Sequence, residues 1–160
     1  HRLAFLDSFM NEPSLLITLK VVVRLVRKCD MTVLDYVTVQ ALSKLKPFFD
    51  TRNSELLARL LLITSAVARA KADFYPKLQS LELSSKLPRY LADPDPTIRT
   101  KALNLIGNMC KHSGFFLEEF RKYGVPAAIV NTLSSAGGNQ ESLVFQAIFA
   151  FGNICSFAEQ

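Results

Sequence analysis

Tryptophan is absent, and only 6 glycines and 7 prolines occur among 160 residues. That supply of turn residues is too small for an all-β chain of this length. Three cysteines cannot all pair within the chain, so a disulfide framework is excluded and a reducing compartment is expected. No basic–apolar–small leader pattern opens the sequence. Apolar runs are short, as at Val21-Val22-Val23 and Leu60-Leu61-Leu62-Ile63, whereas a membrane span needs about 20 apolar residues. The expectation is a soluble, cytoplasmic protein with no membrane partner. Initiator methionine is also missing: the chain opens on His1-Arg2-Leu3 and closes on an apolar helical pattern, so a piece of a longer protein is expected.

Catalytic and ligand motifs are missing too. Neither G-x-x-x-x-G-K nor G-x-G-x-x-G occurs, and no spacing suggests a Ser/His/Asp or Cys/His arrangement. Cys110-x-His112 is one pair without a second at ligand spacing, and a structural zinc site needs four ligands. His1 is terminal. No enzyme, no metal site and no cofactor are expected. The net charge of +5 allows an acidic partner without requiring one. Lysines and arginines are not clustered with interleaved aromatics, which argues against nucleic acid as the partner. Phe115, Phe116 and Phe120 are expected to pack a short helix.

What is present is helical periodicity. With 49% hydrophobic and 21% charged residues the chain is globular. Apolar residues recur at 3- and 4-residue spacings over 13–28, 32–46, 53–70, 97–112 and 140–157. Asn53 or Ser54 predicts a cap for the third of these, and Asp95 a cap for the fourth. Pro47 predicts the end, or a kink, of the second. Shorter helices are expected around Pro76–Leu81, Leu87–Leu91, Phe115–Tyr123 and Pro126–Leu133, and a loop at Gly137-Gly138. No segment alternates with period two, so the fold class is all-α.

The chain also repeats itself. Ala102-x-x-Leu105-Ile106-Gly107-Asn108-Met109-Cys110 matches Ala147-x-x-Ala150-Phe151-Gly152-Asn153-Ile154-Cys155 at an offset of 45 residues. Ala58-x-x-Leu61-Leu62 is a third copy, 44 residues before Ala102, without the Gly-Asn pair. Repeats of this length with a long closing helix indicate a solenoid of stacked units, none of which covers its own apolar face. Four approximate units follow, 1–30, 31–72, 73–113 and 114–160. Gly107 and Gly152 each disfavour a helix interior by about 1 kcal/mol relative to Ala. A neighbouring helix crossing there is the expected reason for them. Cys110 and Cys155, as repeat equivalents, are expected to pack, and Cys29 lies near another helix end.

The stretch Gly124-Val125-Pro126-x-x-Ile129-Val130-x-x-Leu133, followed by Ala147 to Cys155, resembles the armadillo signature. The resemblance implies an armadillo-like right-handed α-α superhelix of about four repeats. It also implies that the third helix of each unit lines a concave face. A narrower resemblance covers roughly the last 65 residues. Asp93-Pro94-Asp95-Pro96-x-Ile98-Arg99-x-Lys101-Ala102-x-Asn104-Leu105-Ile106-Gly107-Asn108-Met109-Cys110-Lys111-His112-Ser113, with Phe149-Ala150-Phe151-Gly152-Asn153, is similar to the C-terminal helical region of Fused-type (TWO-IN-ONE-like) serine/threonine kinases. That likeness implies a regulatory, partner-docking region active in cytokinesis, cilia or signalling. It also implies a kinesin or microtubule-associated partner, and a kinase domain outside this stretch.

Projection at 100° per residue puts Ile98, Ala102, Leu105 and Met109 on the core side of their helix. Lys101, Asn104, Asn108 and Lys111 form a separate stripe, matched in the last unit by Gln146, Phe149 and Asn153. The armadillo resemblance places Asn108 and Asn153 where a groove asparagine pairs with the main chain of a bound peptide. Without Trp beside either, a groove of the importin type for nuclear-localisation signals is not expected. The competing reading is that these amides satisfy neighbouring backbone. Lys20, Arg24, Arg27 and Lys28 share one face of helix 13–28. They offer an acidic peptide or tubulin surface a docking stripe, or they only solvate the helix. The functional expectation is a protein-binding scaffold for a peptide or helical partner. The alternative is a structural solenoid segment with apolar ends, used for intramolecular packing or self-association.

Overall fold

A computed structural model of the chain describes residues 12–28, 31–137 and 140–158, and all the elements it shows there are helical. The chain enters on α1 (Glu12–Arg27) and α2 (Met31–Tyr36). The expected single helix over 32–46 is interrupted. After Tyr36 the backbone widens into a π-helical turn, Val37–Ala41, then narrows through α3 (Leu42–Leu45) into a 3₁₀ segment, Lys46–Asp50, that carries Pro47. Val37, Thr38 and Val39 are three β-branched residues in a row, which weakens α-helix at that point. The buried Thr38 hydroxyl also donates 2.7 Å back to the Leu34 carbonyl.

Long helices close the following units. α4 (Ser54–Ala70) starts where Asn53 Oδ1 accepts the Leu56 N–H at 3.1 Å. Short helices α5 (Tyr75–Gln79) and α6 (Leu87–Leu91) precede α7 (Pro96–Met109), whose cap is Asp95 Oδ1 accepting from Thr97 N at 2.8 Å. Both side chains relieve an orphan N–H of a first turn. α8 (Leu117–Lys122) and α9 (Val125–Ser134) precede α10 (Glu141–Ala158). Gly124 enters α9 at φ 69, a backbone state that favours glycine. Expected bounds shift by one to three residues, and α7 stops at Met109, so Lys111 falls past its end.

The long helices α1, α4, α7 and α10 lie side by side in that order, and the short helices cover their backs. One apolar spine runs the length of the stack. It contains Leu19, Leu60, Ile63, Leu105, Ile106, Ala147 and Ala150. The Gly107 expectation has its physical counterpart here. A Cβ built on Gly107 would stand 2.4 Å from two ring carbons of Phe149 and 3.3 Å from the Ala150 Cα. α10 therefore crosses α7 at a spot where only a hydrogen fits.

Polar ties join successive units at one recurring place, the end of the covering helix. Tyr90 Oη donates to the Phe49 carbonyl at 2.6 Å, and Thr132 Oγ1 donates to the Leu91 carbonyl at 3.0 Å. Each hydroxyl satisfies a carbonyl near the C-terminal end of its unit's covering segment. Burial pushes the Tyr90 phenol up to about 12. Asp50, beside Phe49, takes ion pairs from Lys86 and from Arg89. The Lys86 hydrogen bond is the main reason its carboxyl sits below the ordinary range.

Of the expected aromatic cluster, Phe116 and Phe120 are buried and stacked at 6.1 Å, while Phe115 is 43% exposed on its edge. Cys110 is buried, which raises its thiol to about 12. Cys155 departs from the expectation: it is exposed. Cys29 and His1 lie outside the described residues.

Candidate partner-binding groove

The inner faces of α4, α7 and α10 form a shallow groove of about 410 Å³. Its apolar wall is Leu62, Ala66, Phe145 and Phe149. Its polar floor is Ser65, Asn104, Asn108 and Gln146, and Arg69 stands in the last turn of α4. These residues meet because each sits at one phase of a long helix, and the long helices are stacked in parallel layers.

A hydrogen-bonded ladder crosses the floor. Ser65 Oγ donates to Asn104 Oδ1 at 2.6 Å, and Asn108 Nδ2 donates to Ser65 Oγ at 2.8 Å and to Asn104 Oδ1 at 3.3 Å. Asn104 Nδ2 then donates to Gln146 Oε1 at 2.8 Å. One string of amides and a hydroxyl thus joins α4, α7 and α10. A buried polar network of this kind is stabilising only when its members find partners, and it fixes the relative register of the helices.

The expected stripe is divided by this arrangement. Asn104, Gln146 and Phe149 are half-buried and line the groove. Asn108 lies on the same floor but is only 4% exposed, so its Nδ2 is spent on the seam between α4 and α7. Asn153 Nδ2 donates to the Gly107 carbonyl at 2.8 Å, which is the backbone-satisfying role weighed against ligand contact. Lys101 lies apart from the groove, in a hollow between the N-terminal ends of α7 and α10. Lys111 is exposed beyond α7.

The basic stripe of α1 is separated from the groove. Lys20 and Arg24 are exposed, and Lys20 Nζ lies 3.8 Å from Glu55 Oε1 at the start of α4. Lys28 is exposed just past the helix, and the Arg27 side chain lies outside those described.

Ser65, Phe145 and Arg69 are groove residues that the sequence reading missed. The signal was available for Ser65, a small polar residue on an otherwise apolar stretch of helix. His112 is held structurally: its Nε2 is 2.8 Å from the Arg69 carbonyl, and its N–H donates to Tyr75 Oη at 3.2 Å. Among the described residues no three His, Cys, Asp or Glu side chains gather where a metal ion could be held.

No protein-family profile matches the sequence. A stretch of 61 residues, 38% of the chain, is 36% identical to part of the serine/threonine-protein kinase TIO of Arabidopsis thaliana, and it spans 5% of that protein. In three dimensions the chain is similar over 92% of its length to a designed armadillo repeat protein in complex with the peptide (KR)4, with a TM-score of 0.81 at 19% identity. A computationally designed armadillo repeat protein for modular peptide recognition is similar over the same share, with a TM-score of 0.80 at 17% identity. The chain spans 61% of the length of each. The fold is that of an armadillo repeat array, all-α and layered as the repeats indicate.

Proposed function

We propose that this chain is a non-catalytic scaffold that holds a segment of a partner protein in the groove between α4, α7 and α10. The observation that carries the reading is the composition of that groove. Two half-open aromatic rings and two aliphatic side chains stand beside the Asn104–Gln146 amides on a rigid wall. Gln146 enters the ladder through Oε1, so its Nε2 donor stands outside the ladder. A pocket that joins apolar area to a few fixed polar groups suits one anchoring side chain and its flanking main chain.

The charge of the groove selects the partner. Among the described residues its lining contains Arg69 and no carboxylate. The designed neighbour is in complex with a lysine–arginine peptide, and a cationic segment would meet no counter-charge in this wall. An acidic or neutral segment with an apolar anchor fits instead. Fluorescence anisotropy with two labelled octapeptides, alternating Asp/Leu and (KR)4, tests this. The acidic peptide should bind more tightly, and Phe149→Ala with Gln146→Ala should weaken it by about tenfold. Preference for (KR)4, or binding indifferent to the double variant, would contradict the reading.

A finer assignment rests on the 61-residue likeness to the kinase. On that reading the chain belongs to the regulatory C-terminal region of a Fused-like kinase. It would dock a kinesin or microtubule-associated partner in the cytoplasm, with catalysis in a domain elsewhere in the protein. Binding of the acidic tubulin surface would use Lys20, Arg24, Arg27 and Lys28. Serine at all four positions should weaken microtubule co-sedimentation and flatten its salt dependence. Unchanged co-sedimentation removes that assignment and leaves the groove untouched. The structural alternative, packing or self-association through the ends of the stack, draws support from the open apolar face of α10.

A further inference from the structure

The Gly107 and Gly152 sites have the same sequence context and opposite surroundings. Along α7, Leu103, Gly107 and Cys110 share one side, and all three are buried. α10 crosses at Gly107, with the Phe149 ring and the Ala150 Cα against it. Their equivalents on α10, 45 residues on, are Ile148, Gly152 and Cys155, and all three are exposed. Ile148 is 65% exposed and Phe145 beside it 67%. Among the described residues nothing lies within 4 Å of a Cβ built on Gly152.

We propose that this side of α10 is a docking face for one further armadillo-type unit, whose long helix sets an aromatic ring on Gly152 as Phe149 is set on Gly107. Three observations carry it. First, the face continues an interface already present in the molecule, position for position. Second, glycine inside a helix costs about 1 kcal/mol relative to Ala, and no contact among the described residues offsets that at Gly152. Third, α10 has mean hydropathy 1.3 across its 18 residues, yet only 22% of them are buried. A helix apolar on nearly all sides is one that other elements cover. An open hollow of about 810 Å³, bounded by Leu133, Ala136, Val144, Phe145 and Ile148, lies at the foot of this face and continues it.

Other occupants fit less well. α1 of a second copy has an exposed apolar row, Ile17, Val21 and Leu25, but residues 12–27 contain no aromatic ring to fill the Gly152 socket. The helix is also long and apolar enough by composition to cross a membrane. Against that, Gln146 accepts a hydrogen bond from α7 and Asn153 donates one to it, which fixes the helix in the stack.

The test uses the whole chain and a tandem form in which residues 114–160 are repeated once after Gln160. The probe is thus the chain's own last unit, Phe149 included. Alkylation of Cys155 is followed by mass spectrometry. In the original chain Cys155 should react freely and light scattering should give a monomer. In the tandem form the first-copy Cys155 should react at least about tenfold more slowly. Replacing the second-copy Phe149 by Ala should restore the reactivity. A tandem form whose first Cys155 stays as reactive as before overturns the proposal. So does an original chain that already protects Cys155 by dimerising or by binding neutral lipid vesicles.

Discussion

α7 and α10 carry nearly the same motif and meet different fates. On α7 the motif is enclosed: Leu103 and Cys110 are buried, α10 crosses at Gly107, and Asn108 is locked to Ser65 of α4. On α10 the same positions face outward, and only the side toward α7 is closed, by Leu143, Ala147, Ala150 and Ile154. Equal sequence therefore gives unequal burial, because in a stacked array a residue's environment is set by the unit on each side. A repeat match reports what a face is suited to; a neighbour decides whether it is used.

The largest expected effect comes from the residue pair that differs most. Leu103→Ala opens a cavity at a fully buried position and should cost about 2–5 kcal/mol in urea unfolding. Ile148→Ala, at the matching place, should stay within about 0.5 kcal/mol. Equal losses would erase the distinction between enclosed and open faces. Next come the amides. Asn108→Ala removes a buried donor to Ser65 and Asn104 and should cost about 1–3 kcal/mol, against about 0.5–1.5 kcal/mol for Asn153→Ala, which loses one bond to the Gly107 carbonyl. If Asn153 proves the costlier, the ladder is not what ties α4 to α7.

Alkali gives a smaller and separable effect. The Tyr90 phenol and the Cys110 thiol are each raised to about 12 from ordinary values of 10.0 and 9.0. Both are held neutral by burial, so the folded chain keeps protons that the unfolded chain loses. Stability is intact below pH 9 and declines as pH rises from about 9 toward 12. Circular dichroism at rising pH should show this decline, and Tyr90→Phe should make it shallower.

Much of this was legible in the sequence. Helix periodicity, the caps Asn53 and Asp95, and the 45-residue repeat placed the long helices within a few residues. Gly107 announced a close crossing, whereas Gly152, read the same way, has no helix against it among the described residues. Three things were not legible. The widened turn at Val37–Ala41 depends on how Thr38 bonds within its own turn, and an apolar period does not record that. The burial of Asn108 depends on Ser65, 43 residues away, and no local pattern pairs them. The exposure of Cys155 depends on what is absent beside it, so its match to Cys110 misled. The groove was legible as a stripe of polar positions, but which of their amides bond to a neighbouring helix is set by contacts 42 to 46 residues away in sequence.

The central claim is that the long helices repeat one seam, closed at Gly107 and open at Gly152. Thermal unfolding of Gly107→Ala and Gly152→Ala, each against the parent chain, tests it most directly. The account predicts opposite signs: destabilisation of about 1–3 kcal/mol at Gly107 as the new methyl collides with the Phe149 ring, and stabilisation of about 0.5–1 kcal/mol at Gly152 as a helix gains Ala in open space. Two changes of the same sign would contradict it.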